Sequence, residues 1–276
     1  MLEKRNGEEL PPTVDDILAW SAIFRCKGTF KNYLNHVRVA CELLRLPTAV
    51  FDNREVKRAG MAIQKRRMFI PRAPLFLGHD KLVQIMNLAI ADGDKSEAML
   101  YLACYVFLLR MPSEALPMVK GCGGAYHGEQ STLFMGIGCI YLKLATRKNK
   151  PSGSILRRFC WCHQDRSTCP VHVLGAYLES LAKGCKLFGG FNPGIVLAKL
   201  RGRLQKLGVP KAWDYRAHDF RRGHADDLRR AGKSLKEILQ AGEWRSPAFL
   251  QYLDLADLEF DLVVSAHIDE SSGDER

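Results

Sequence analysis

The chain has no apolar run that approaches the roughly 18 residues a membrane-spanning helix needs. It also lacks the pattern of a secretory leader, because Met1 to Pro12 is polar and mixed in charge. Its 9 cysteines are scattered rather than set out as an exported disulfide framework. They are expected to be mostly reduced thiols of an intracellular protein. Acid is in short supply: 30 Asp and Glu face 41 Lys and Arg, for a net charge of +11. The shortage is deeper than the total suggests. Residues 254–276 hold eight acids and one base, a net of −7, so residues 1–253 carry +18. A body this basic suits a polyanionic partner, most simply nucleic acid, with a solvated basic surface as the plainer alternative.

What is present is ordinary in amount. At 276 residues and 47% hydrophobic content, the chain can fill a sizeable core in two compact units. Thr13 and Asp16 predict a capped helix start, with apolar positions continuing to Phe24. Gly28-Thr29 is expected to separate it from a second helix over 30–44, striped by Tyr33, Leu34, Val37, Cys41 and Leu44. A third helix over 54–69 carries Lys57, Arg58, Lys65, Arg66 and Arg67. Such a face suits DNA phosphates, or simply keeps the helix solvated. Pro71-Arg72-Ala73-Pro74 reads as a linker.

Beyond the linker, helices are predicted over 80–91 and 96–109, the second apolar enough to be buried. Arg110 leaves its end, with Glu114 as a nearby partner. Residues 133–145 and 155–160 read as strands, with Ile140, Leu142 and Leu144 on one face. The turn over 146–154 carries Arg147, Lys148 and Lys150, a basic hairpin suited to phosphate contact. Cys160-Trp161-Cys162-His163 and Cys169-Pro170-Val171-His172 follow, with five potential ligands in thirteen residues. Cys160, Cys162, Cys169 and His172 are the candidate set for a structural zinc, and ordinary loop thiols are the alternative. A helix over 171–181, a loop over 184–190 and an amphipathic helix over 195–207 come next. The last of these has Lys199, Arg203 and Lys206 on its polar side.

The densest chemistry lies near the C-terminus. His218-Asp219-Phe220-Arg221-Arg222-Gly223 places His218 and Arg221 on one helical face. Leu235, Ile238 and Leu239 mark a further short helix, followed by Ala241-Gly242-Glu243-Trp244. Ser246-Pro247 predicts a helix start that puts Tyr252 in its second turn. Charged donors for phosphate oxygens, an imidazole for a proton and a phenol as nucleophile are parts that suit phosphoryl transfer. Past Tyr252, Leu253, Leu255, Leu258, Leu262 and Val263 suit an acidic amphipathic helix.

His218-x-x-Arg221, Trp244 and Tyr252 resemble the C-terminal signature of the tyrosine recombinases, the phage-integrase-like enzymes, including types carried by eukaryotic mobile elements. The resemblance implies a mainly α protein with a small antiparallel β-sheet, an α+β fold. Residues 1–72 would be a helical core-binding domain that clamps DNA, and 73–266 the tyrosine-recombinase catalytic domain with its C-terminal helix. Residues 267–276 would be an acidic, disordered tail. The reaction implied is DNA strand cleavage and rejoining through a 3′-phosphotyrosyl intermediate. Tyr252 would be the nucleophile, with Arg110 and Arg221 as the phosphate clamp and His218 as proton acceptor. Trp244 would be an oxygen donor or packing group. Lys148, with Lys150 second, would be the acid for the leaving 5′-hydroxyl. Arg147, Lys150 and Arg222 would join Lys57, Arg58, Lys65, Arg66 and Arg67 on DNA.

No cofactor is implied for catalysis. The implied partners are double-stranded DNA and three further copies on paired sites, with no membrane; the setting is intracellular, the nucleus in a eukaryote. Two spacings depart from the signature. Trp244 lies one residue too close to Tyr252, and Glu114 follows Arg110 by four residues instead of three, with Pro112 inserted. A catalytically degenerate DNA-binding protein and a type IB topoisomerase-like relaxing enzyme are the alternative functions.

Overall fold

The computed structural model describes residues 10–66, 73–121, 130–147, 150 and 152–244. The chain divides into two compact units, Met1–Ala73 and Pro74–Arg276.

The first unit holds α1 (Val14–Ser21), α2 (Lys27–Leu43) and α3 (Arg54–Lys65), with a 3-10 turn over Ala49–Asp52. Thr13 and Asp16 form the predicted reciprocal cap, each side chain accepting from the other's backbone N–H at 3.2 and 3.0 Å. Asn53 caps α3 through Glu55 N at 2.7 Å. The core is Ile17, Phe30, Cys41, Phe51, Val56 and Ile63. Here α1 stops at Ser21 and α2 begins before Gly28-Thr29, so that pair is inside the helix and not between helices. Phe30 explains the difference. It is buried against Trp20 and Phe24, at ring centroid distances of 6.2 and 5.3 Å. Burial of that ring, worth roughly 2 kcal/mol, outweighs the roughly 1 kcal/mol a helical glycine costs.

The second unit is built on α5 (Lys95–Val106), which packs against α4 (His79–Ala91). From Ala98 to Leu109 every residue is buried. A helix apolar on all sides has to sit in the middle, and the other elements surround it. They are α6 (Gly175–Glu179), α7 (Pro193–Lys206), α8 (Asp219–Arg230) and α9 (Leu235–Gly242). The sheet runs β1 (Val119–Lys120), β2 (Thr132–Gly136), β3 (Cys139–Leu144) and β4 (Ser154–Phe159), in that order.

The architecture is mainly helical with a small sheet, as expected, but the sheet is mixed: β1 pairs parallel to β2 and the rest is antiparallel. The single strand predicted over 133–145 is a hairpin. Gly138, with φ of 66°, turns the chain between β2 and β3. The apolar pattern ran through that turn because Ile137 is apolar yet fully exposed. Ile140, Leu142 and Leu144 share the buried face of β3.

Two details fix the frame of the site. A Cβ on Gly223 of α8 would lie 1.9 Å from the Leu77 carbonyl oxygen, so only glycine lets α8 pass there. On α7, Lys199, Arg203 and Lys206 meet the acidic turn between α4 and α5, where Arg203 pairs with Glu97 at 2.7 Å and Asp92 at 2.8 Å. Arg203 and Glu97 are both buried, so this part of the polar side is internal. Among the described residues no helix is long and apolar enough to cross a membrane.

Candidate functional site

The site forms where α5 ends. Leu108 adopts φ of 50°, a left-handed conformation that a bulky residue rarely takes. Its carbonyl accepts from Arg221 at 2.7 Å and from Arg147 at 3.4 Å. Arg110 follows, then a wide π-helical turn over Met111–Ala115, closed by Leu116 N to Met111 O at 3.0 Å. This turn absorbs one residue more than an α-turn. The inserted Pro112 is therefore accommodated, and Glu114 still reaches back to Arg110. Its carboxylate accepts from Arg110 N at 2.8 Å and from Arg110 Nη1 at 3.1 Å.

Glu114 is buried, and two more guanidiniums converge on it. Arg147 Nε lies 3.3 Å away and Arg221 Nη1 4.0 Å away. One carboxylate thus faces three arginines delivered by the α5 exit, the β3–β4 loop and α8. A second carboxylate completes the cluster. Glu243 follows α9 with φ of 50°, and it binds Arg147 and, at 2.5 Å, Lys150. Burial works against the charged form of Glu243, but hydrogen bonds from Lys150 and Arg147 hold its pKa below the ordinary carboxylate value.

His218 immediately precedes α8 and is half-buried. Burial first, then the charges of Arg221, Arg222 and Arg110, push its pKa down to about 4. The shift favours the uncharged imidazole at neutral pH and makes it a weaker base than a free histidine. Arg221 is held from several sides: it donates to Gly242 O at 2.6 Å, and its guanidinium stacks 4.5 Å from the Trp244 ring centre. Trp244 therefore packs against the arginine, while its neighbour Glu243 points at the hairpin cations.

The remaining expected residues fall in several places. Arg222 pairs with Asp219 at 2.9 Å. Arg147, expected on phosphate, is 6% exposed and ion-paired inside the protein, and Lys150 is paired with Glu243. Lys57, Arg58, Lys65 and Arg66 are exposed on or beside α3 of the first unit. Cys160, Cys162, Cys169 and His172 come together, their ligand atoms all within 4.8 Å of one another. Arg67, Lys148 and Tyr252 lie outside the described residues, as do Pro71-Arg72, the helix start at Ser246-Pro247 and the acidic C-terminal segment.

This architecture has counterparts among solved structures. The Tn1549 transposon integrase, solved in complex with circular intermediate DNA, matches with a TM-score of 0.55 over 93% of this chain and 85% of its own, at 11% identity. The fold is that of a tyrosine recombinase catalytic domain. XerA recombinase matches at a TM-score of 0.45 and 15% identity, covering 93% of this chain and 88% of that one. XerH site-specific recombinase, bound to its difH substrate before cleavage, matches at 0.49 and 12%, covering 88% and 70%. No family model matches the sequence, and no curated protein matches it.

Within this recombinase fold, three contributors were not read from the sequence. Glu243 sits one residue further from Tyr252 than Trp244 does, so the short Trp244 spacing was the available signal. The Leu108 carbonyl is backbone and leaves no side-chain trace. Arg158 on β4 donates to Val106 O at 2.8 Å and Ala241 O at 3.4 Å, tying the ends of α5 and α9 to the hairpin.

Proposed function

We propose that this protein cleaves and rejoins double-stranded DNA through a tyrosine-linked intermediate, as a site-specific recombinase or integrase. The observation that carries the proposal is the convergence of Arg110, Arg147 and Arg221 on one buried carboxylate beside an uncharged His218. Guanidinium stays charged and binds phosphate oxygens, so the partly exposed Arg110 would hold a non-bridging oxygen of a scissile phosphate, while the buried Arg221 would stabilise the same phosphate through its charge. The Trp244 ring and the Leu108 and Gly242 carbonyls fix Arg221 in advance, so little ordering remains when phosphate arrives.

In the proposed reaction the Tyr252 oxygen forms a bond to phosphorus, and the bond from phosphorus to the 5′-oxygen breaks. A phenol titrates at about pH 10, so its proton must leave as it attacks, and neutral His218 is the acceptor. Lys148 would protonate the departing 5′-oxygen. The 3′-phosphotyrosyl bond replaces a phosphodiester of similar energy, so a second 5′-hydroxyl can reverse the step without nucleotide or metal. The exposed bases of α3 would hold DNA phosphates without reading sequence. Four copies on two paired sites is the assembly proposed. The Tn1549 integrase, which shares the fold, is solved in complex with circular intermediate DNA.

One observation favours a second reading. Glu243 places a carboxylate against Arg147 and Lys150, where phosphate charge would otherwise be welcomed. A protein that binds DNA through this fold without cutting it would tolerate that. Covalent trapping on a nicked duplex separates the two. A DNA-linked species in the wild type, absent from Tyr252→Phe, supports cleavage. Salt-sensitive binding with no adduct in either protein supports the second reading.

A further inference from the structure

Cys160 directly follows β4, Cys162 lies in the turn after it, and Cys169 precedes a π-helical turn over Pro170–Leu174 that carries His172 into α6. The three sulfurs surround one imidazole nitrogen. His172 Nδ1 is 3.0 Å from Cys162 Sγ, 3.4 Å from Cys169 Sγ and 3.6 Å from Cys160 Sγ. Cys160 and Cys169 Sγ are 3.7 Å apart. Hydrogen bonding does not account for this. One ring nitrogen carries one proton or one lone pair, so it satisfies one thiol and not three. A disulfide does not account for it either, since that bond is about 2.05 Å.

A tetrahedral ion does. With Zn–S near 2.3 Å and Zn–N near 2.0 Å, the edges of the tetrahedron are about 3.8 Å between sulfurs and about 3.5 Å from sulfur to nitrogen. The three sulfur–nitrogen separations and the Cys160–Cys169 separation, from 3.0 to 3.7 Å, stand close to these, and all the donor atoms lie within 4.8 Å of one another. We propose that Cys160, Cys162, Cys169 and His172 bind one structural zinc ion. Three thiolates and an imidazole in a closed four-ligand set suit zinc, and no position is left open for a substrate or water. His163, the fifth candidate in the sequence, is exposed and lies outside the set.

The ion's place gives it a structural purpose. It clips the end of β4 to the entry of α6 across the loop 161–168. That loop is otherwise shaped by Asp165, which accepts from Thr168 and Ser167 at 2.6 and 2.7 Å and meets His79 at 2.9 Å. β4 bears Arg158, so the clip steadies the strand that links the β3–β4 loop to α5 and α9. This proposal does not depend on the recombinase reading.

The test uses the full chain purified without chelator, with metal measured by mass spectrometry and released by thiol titration. About one zinc per chain is expected, with His163→Ala keeping it and Cys169→Ser losing it. Because the serine variant can fail to fold, the wild type is also exchanged with cobalt(II). Intense thiolate charge-transfer bands and tetrahedral ligand-field bands are the expected result. Removing zinc from the wild type should speed hydrogen exchange of the β4 amides by tenfold or more, on the order of a 1.4 kcal/mol loss of local protection. Wild type with no bound zinc after reconstitution, a cobalt spectrum without thiolate bands, or an intact mass showing a Cys160–Cys169 disulfide would each overturn the proposal.

Discussion

Replacing Glu114 with glutamine isolates the central carboxylate at nearly constant volume. Glu114 is 2% exposed, and its charge faces Arg110, Arg147 and Arg221, of which Arg147 and Arg221 are themselves buried. Glutamine keeps an oxygen for the Arg110 N–H, but it removes the charge and sets an amide NH2 where the second oxygen accepted from Arg110 and Arg147. Leaving buried cations without their partner costs about 3–5 kcal/mol. For a unit of this size each kcal/mol moves Tm by about 2–4 °C, so the variant should melt about 10 °C lower. Thermal and urea unfolding of the full chain measure it. Duplex DNA or sulfate should then restore more stability to Glu114→Gln than to the wild type, because an external anion at the partly exposed Arg110 offsets the lost charge. A loss under about 1 kcal/mol, with no differential rescue, would refute the argument that this carboxylate organises the three arginines.

Three further outcomes follow from the geometry. Glu243→Gln should release the partly exposed Lys150, tighten DNA binding at low salt and steepen its salt dependence by about one charge; unchanged affinity and slope would show that Glu243 does not compete with phosphate. His218 and His224 both have pKa values lowered to about 4, chiefly by burial. The unfolded chain therefore binds more protons than the folded one between about pH 6.5 and 4, and stability should be full above that window and fall by up to about 3 kcal/mol per histidine through it. A flat stability profile between pH 7 and 4.5 in His218→Gln/His224→Gln, against a sloped wild type, is the check. Gly223→Ala should cost several kcal/mol because its methyl meets the Leu77 carbonyl, whereas Gly202→Ala on α7, with nothing within 4 Å, should stabilise by about 0.5–1 kcal/mol; chemical denaturation compares them.

How much the sequence revealed depended on range. The Thr13–Asp16 cap and the buried α5 were legible because the determining groups lie within a few residues or repeat along one helix. The metal-type cluster was legible because its four donors fall within one short segment. The β2–β3 turn was missed because an exposed isoleucine imitates a strand interior. The pairing of Glu114 with Arg110 was legible because the two lie four residues apart, but Pro112 hid the wide turn between them, since sequence spacing does not distinguish an α-turn from a wider one. Glu243 went unread because its partners Arg147 and Lys150 are 96 and 93 residues away. Only folding shows that the arginine at the α5 exit, the hairpin and α8 share one carboxylate.

The most direct test is to identify the amino acid that carries the DNA. The wild-type protein is trapped on a nicked duplex and digested with protease and nuclease, and the nucleotide-bearing peptide is sequenced by mass spectrometry. A 3′-phosphonucleotide on Tyr252, with the adduct abolished by Arg221→Ala, is the predicted result. A nucleotide on any other residue, or on a 5′-phosphate, would contradict the account.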